Sequence, residues 1–132
     1  IEFIVVENNS TDKKTFDYYD KIQKEFDNVK VVRWEREFNY SLINNFGVNF
    51  ANGEYLFFLN NDIELINPTS IEEMMWYAVR EDVGIVGARL LYNDDTIQHA
   101  GVVIGFGGVA GHFQRWRTAI STELLLCRII QL

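Results

Sequence analysis

The 132 residues carry 48% hydrophobic, 14% aromatic and 23% charged side chains, the composition of a packed domain, which excludes a disordered chain. A chain of this length builds one modest core and buries about 65–70% of its unfolded surface. The formal net charge of −7 excludes general affinity for nucleic acid and implies that any phosphate ligand is met together with a cation.

In chain order, residues 3–6 form a short, apolar, largely β-branched run that reads as a buried strand closed by the polar turn Glu7-Asn8-Asn9-Ser10. Ser10, Thr11 or Asp12 is placed to cap the following helix, where Phe16, Tyr19, Ile22 and Phe26 recur at steps of three and four along one face. Residues 29–34 read as a second strand. From Ser41, the residues Leu42, Ile43, Phe46 and Phe50 line one side of a helix expected to end near Gly53. Residues 55–59 are continuously apolar, the pattern of a central strand covered on both faces.

Beyond the polar stop Asn60-Asn61-Asp62, Pro68 marks a helix start, and Ile71, Met74, Met75, Ala78 and Val79 form its stripe. Residues 83–91 are expected to enter a further strand, and residues 102–104 another, followed by a glycine-rich turn. Strands alternating with helices predict an α/β fold with a largely parallel sheet wrapped by helices, whose ligands sit beyond the carboxyl ends of the strands. Residues 113–132 hold Arg115, Arg117 and Arg128 against Glu123, a charge of +2, which leaves −9 on residues 1–112.

Cys127 is the single cysteine, so an internal disulfide and a cysteine zinc cage are excluded, and a reducing, cytoplasmic compartment is expected. The apolar stretch 101–111 is too short and too rich in glycine for a membrane span, which needs about 20 residues. Any membrane association is left to a longer, full-length protein. Two matches to the N-glycosylation pattern, at Asn8 and Asn39, are short enough to arise by chance.

Two strand ends therefore carry polar clusters. At the second, Asp62 beside Asn60 and Asn61 offers hard oxygen ligands suited to Mg²⁺ or Mn²⁺, which takes one or two carboxylates together with phosphate oxygens and water. At the first, Glu7 is able to accept hydrogen bonds from a base or a ribose. Asx residues after strands are also the commonest turn formers, so each cluster has a purely structural reading.

Two stretches carry a family resemblance. Residues 4–12, Ile-Val-Val-Glu-Asn-Asn-Ser-Thr-Asp, resemble the first signature of family 2 glycosyltransferases. Residues 51–62, Ala-Asn-Gly-Glu-Tyr-Leu-Phe-Phe-Leu-Asn-Asn-Asp, resemble the second, a Gly-Glu-aromatic strand leading into an Asp-x-Asp metal motif. Residues 96–105, with Ala110-Gly111-His112 beyond, are similar to bacterial rhamnosyltransferase-like members of cell-surface polysaccharide synthesis, and the likeness covers roughly residues 1–112.

The resemblance implies a three-layer GT-A fold, a Rossmann-like sheet wrapped by helices, here with the first strand and the far end missing. It implies inverting transfer from a UDP- or dTDP-sugar donor to a saccharide acceptor, with Mg²⁺ or Mn²⁺. It places Glu7, Asn8, Ser10, Asn44, Asn60, Asn61 and Asp62 at the nucleotide-sugar, Asp62 and Asn60 at the metal, and His112 as the acceptor-side candidate.

Three departures accompany it. Glu7 stands for an aspartate, Asn60 for the first aspartate of the metal motif, and Asn44 for an arginine of an Arg-Asn pair. The family's catalytic base has no match before Leu132, so the catalytic residue is unassigned. A rival reading is a truncated or degenerate nucleotide-binding module that lacks turnover and forms a homodimer through edges left by the missing strand. Another rival, a dinucleotide fingerprint at residues 105–110, leaves only 22 residues for a unit that needs about 30. His99 and His112 each also read as packed histidines. Trp34, Trp76 and Trp116 are expected in a core or an interface.

Overall fold

The computed structural model describes residues 1–105, 108–112 and 126–129. They fall into two compact units, 1–58 and 59–132.

In the first unit, β1 (Phe3–Glu7) and β2 (Val29–Arg33) pair in parallel, with Phe3 opposite Val29 and Glu7 opposite Arg33. They are joined through α1 (Lys13–Glu25). Asp12 is the cap: its carboxylate accepts the Lys14 N–H at 3.0 Å. Phe16, Tyr19 and Ile22 are the half-buried residues of the expected stripe, whereas Phe26 leaves the helix in an extended conformation and stays half exposed. Gln23 of α1 accepts the Val31 N–H at 2.9 Å, which satisfies a donor that the parallel ladder leaves facing outward. Val32 is the buried apolar residue of this unit.

The next helix, α2 (Tyr40–Val48), is capped by Asn39, whose side chain accepts the Leu42 N–H at 3.0 Å. It ends five residues before Gly53, because residues 49–51 continue it only as i to i−3 turns. Gly47 sits against β1 so closely that a Cβ there would lie 2.9 Å from Val6 Cγ2. Phe46 packs between Trp34 and Phe50, with ring centroids at 5.3 and 5.0 Å, so Trp34 is half-buried in an aromatic cluster beside the core. Leu42, expected on the packed side, is 52% exposed.

The second unit contains β3 (Ile63–Leu65), α3 (Ser70–Ala78), β4 (Arg89–Leu91), β5 (Ile97–His99), β6 (Val102–Ile104), β7 (Ala110–His112) and β8 (Leu126–Ile129). The sheet order is β3-β8-β4-β5, with β8 antiparallel to β3 and parallel to β4. Leu91 and Ile97 face each other across β4 and β5 and are 4% and 2% exposed, making them the core pair of this unit. Ahead of α3, Asn67 Oδ1 accepts the Thr69 N–H and Glu73 Oε1 accepts the Asn67 amide, and the single proton of the Thr69 hydroxyl is within reach of either oxygen, at 2.9 and 2.7 Å. The helix therefore starts just after Pro68. Trp76 on it is exposed, and Trp116 lies outside the described residues.

The α/β class holds, and the sheets are small, of two, four and two strands. Three expectations change. Residues 55–59 join no ladder among the described residues, and each is 44–54% exposed. Continuous apolarity states that both faces can be covered, but a strand also needs a neighbour for its backbone groups. The strand expected over 83–91 forms only at its last three residues. β6 does not lead into a helix: Gly105 N–H donates to Val109 O at 2.9 Å, closing the antiparallel hairpin of β6 and β7, which rules out the fingerprint reading; residues 106 and 107 lie outside the described residues. Among the described residues no helix is long and apolar enough to cross a membrane.

Candidate functional site

Glu7 ends β1, is 5% exposed, and folds back to accept the Ser10 N–H on Oε1 at 2.6 Å. Its backbone carbonyl accepts the Trp34 N–H at 2.9 Å. The Asn8 side-chain amide donates to the carbonyls of Trp34 and Arg36, both at 2.9 Å, and that of Asn9 donates to Arg36 at 3.1 Å. Asn9 takes φ +56°, a left-handed conformation that asparagine tolerates better than most residues. The first polar cluster thus stitches the exit of β1 to the chain leaving β2. Glu7, Asn8 and Ser10 are together in one turn, and the buried Glu7 carboxylate organises it.

On α2, a pocket of about 180 Å³ is lined by Tyr40, Ser41, Asn44 and Asn45, with Phe58 from beyond the helix. It is smaller than the roughly 300–1,000 Å³ of a site that encloses a whole drug-sized ligand, so it suits one ring of a larger molecule. The lining offers aromatic rings, a hydroxyl and two amides, and no charge. Asn44 donates its amide to the Tyr40 carbonyl at 2.8 Å, which fixes that side chain along the helix. Of the expected residues, only Asn44 lines this pocket. Tyr40, Ser41, Asn45 and Phe58 were not singled out as ligand-facing. The signal available was the Asn39 cap, which starts the helix one residue before Tyr40 and turns Tyr40, Ser41 and Asn44 to a common side.

The second polar cluster belongs to the other unit. Asn60 and Asn61 are exposed, while Asp62 is half buried in the turn before β3. Asp62 Oδ1 is shut off from solvent and has no hydrogen-bond partner. A buried acceptor left unpaired is unfavourable by about 1–3 kcal/mol, more when charged.

Among the described residues the same unit holds one other orphan, Arg89 Nε on β4. The ladder keeps the two apart: Ile63 stands opposite Ile129 and Arg89 opposite Leu126, on either side of β8. Three residues along the strand and two strand spacings across put the Ile63 and Arg89 backbones roughly 14 Å apart, and Asp62 lies one residue farther away, so Arg89 does not neutralise Asp62.

No group of three or more His, Cys, Asp or Glu is gathered to hold a metal among the described residues. The orphaned Asp62 oxygen does fit a cation held partly by the ligand itself, since Mg²⁺ is usually bound through one or two carboxylates plus substrate phosphates and water. His112 closes β7 opposite Val102, and His99 stands opposite Leu90 in the β4–β5 ladder.

The profile of a family described as "Glycosyl transferase family 2" matches residues 1–120. The uncharacterized protein y4gI of Sinorhizobium fredii (strain NBRC 101917 / NGR234) is 48% identical over 111 residues, which are 84% of this chain and 12% of that protein. The O-antigen biosynthesis protein RfbC of Myxococcus xanthus is 42% identical over 113 residues, 84% of this chain and 8% of that protein. The chain thus spans about a tenth of the length of these curated relatives. No solved structure matches.

Proposed function

The chain belongs to glycosyl transferase family 2, and we propose that it is the donor-binding part of an enzyme that transfers a sugar from a nucleoside-diphosphate sugar to a saccharide acceptor. The product is a cell-surface polysaccharide, a reading supported by the likeness to an O-antigen biosynthesis protein. The donor is a UDP- or dTDP-sugar carrying a hexosyl or rhamnosyl group, and transfer proceeds with inversion in the cytoplasm. The whole domain has the three-layer GT-A arrangement. The parallel β1–α1–β2 unit supports that assignment.

The observation that carries the reading is the orphaned Asp62 oxygen, at the second position of the metal motif. Asp62, with Asn60 beside it, would hold Mg²⁺ or Mn²⁺. When bound, such a cation supplies charge stabilisation to the departing diphosphate. Tyr40, Ser41, Asn44 and Asn45 present ring, hydroxyl and amide groups that suit an uncharged pyrimidine. The Glu7 carboxylate and the Asn8 and Asn9 amides hold the neighbouring turn rigid, so the ribose meets a preorganised backbone. Transfer forms a bond between the acceptor oxygen and the anomeric carbon as the bond to diphosphate breaks. His112 is the acceptor-side candidate.

Calorimetric titration with UDP and dTDP, with and without Mn²⁺, tests the reading. Mn²⁺-dependent binding that disappears in Asp62→Ala is expected. Binding of neither nucleotide refutes it and favours a module that lacks turnover and associates with a second copy. The exposed run 55–59 is the observation that favours that alternative, and sedimentation equilibrium would then show a dimer.

A further inference from the structure

Glu2 lies one residue before β1 and belongs to none of the polar clusters above. Its carboxylate nevertheless makes contacts fifty residues away. Oε1 accepts the backbone N–H groups of Asn52 at 2.5 Å and Gly53 at 2.9 Å, and Oε2 accepts the Asn52 side-chain amide at 3.1 Å. The Asn52 backbone bond, followed by its side-chain bond, holds the Glu2 carboxyl below its ordinary value of 4.5.

Among the described residues, these three bonds are the hydrogen bonds that tie residues 52–58 to the rest of the unit. Residues 55–58 have no ladder partner and are exposed, so their own packing does little to fix their path. Five residues beyond Gly53, however, Phe58 forms a wall of the α2 pocket. Something must set where that segment begins, and an ionised acceptor taking three donors is the strongest local restraint present.

We infer that Glu2 is a positioning residue: its carboxylate latches Asn52 and Gly53 to the head of β1 and so seats Phe58 against Tyr40, Ser41, Asn44 and Asn45. The consequence for nucleotide affinity rests on the donor-site reading of that pocket, whereas the seating itself does not. Gln at position 2 retains an oxygen able to accept both backbone N–H groups, whereas Ala retains nothing.

The test compares the wild-type chain with Glu2→Ala and Glu2→Gln by NMR. Amide exchange at Asn52 and Gly53 is expected to speed up about tenfold in Glu2→Ala, the order expected for losing a bond to a charged acceptor. The Val5 and Val32 amides should keep their protection, showing that the β1–β2 pair is intact. The Phe58 ring and Asn44 side-chain amide signals should shift in Glu2→Ala and return toward wild type in Glu2→Gln. Under the donor-site reading, the nucleotide Kd in the presence of Mn²⁺ rises in Glu2→Ala and recovers in Glu2→Gln. Faster exchange at Asn52 and Gly53 with unchanged Phe58 and Asn44 signals overturns the inference, because the latch then seats nothing. If the wild type binds no nucleotide, the donor-site reading falls, and the ring and amide signals still decide the seating of Phe58.

Discussion

Replacing Gly47 by alanine sets two effects of known sign against each other on α2. Glycine inside a helix is less favourable than alanine by about 1 kcal/mol, so propensity alone makes Gly47→Ala stabilising. The added Cβ, however, would stand 2.9 Å from Val6 Cγ2, closer than carbon atoms tolerate. Val6 is β-branched and held at χ1 in its strand, so the methyl group cannot swing clear, and overpacking of this kind costs about 1–3 kcal/mol. The clash outweighs propensity, and a net loss of about 1 kcal/mol is expected, a fall in Tm of about 4 °C for a chain of this size.

Urea unfolding followed by far-UV circular dichroism measures this loss as a lower midpoint at unchanged slope. A double-mutant cycle with Val6→Ala locates it, since removing the methyl group relieves the clash and the two substitutions should couple by about 2 kcal/mol. A stabilised Gly47→Ala variant, or coupling below roughly 0.3 kcal/mol, would refute the claim that β1 and α2 touch at this point. The contact matters for the site because Asn44 lies three residues earlier on the same helix, so moving α2 off β1 should also weaken nucleotide binding.

Asp12→Ala removes the side-chain cap of α1 and should lower stability by about 1 kcal/mol, read in the same urea assay, with Asp12→Asn or Asp12→Ser largely neutral. Asn60→Asp restores the first carboxylate of the metal motif and should tighten Mn²⁺-dependent nucleotide binding in calorimetry; weaker binding would mean that position 60 does not face the cation. Glu2 has a folded-state pKa below its ordinary value of 4.5, so its stabilisation is full above that value and is lost as pH falls through the lowered one. Acid titration of the urea midpoint should therefore show a decline below the ordinary carboxylate range that is shallower in Glu2→Gln. Asp94, held low by the Thr96 hydroxyl and then the Thr96 N–H in the β4–β5 turn, contributes a decline of the same sign, absent in Asp94→Asn.

Local physics made much of the first unit legible in its residues. The stripe Phe16, Tyr19, Ile22 and the cap at Asp12 specify α1, and the β-branched runs specify β1 and β2, because periodicity and capping depend only on neighbours in sequence. The family was also readable from two motifs, which the match over residues 1–120 bears out. Sequence alone singles out Asp62 as a candidate metal ligand, and that its Oδ1 has no hydrogen-bond partner among the described residues is seen only in the structure.

What only tertiary structure decided is which polar groups remain open to a ligand. The Asn8 and Asn9 amides are committed to the carbonyls of Trp34 and Arg36, partners more than twenty residues away that no local pattern reveals. Phe58 belongs to a pocket wall and residues 55–59 to no ladder, though their apolarity reads as a strand. Glu2 looks like one more charge at the start of a strand until Asn52 and Gly53 arrive beside it. In each case the deciding quantity is the presence or absence of a hydrogen-bond partner across the fold, and that is a property of three-dimensional neighbours, not of residue type.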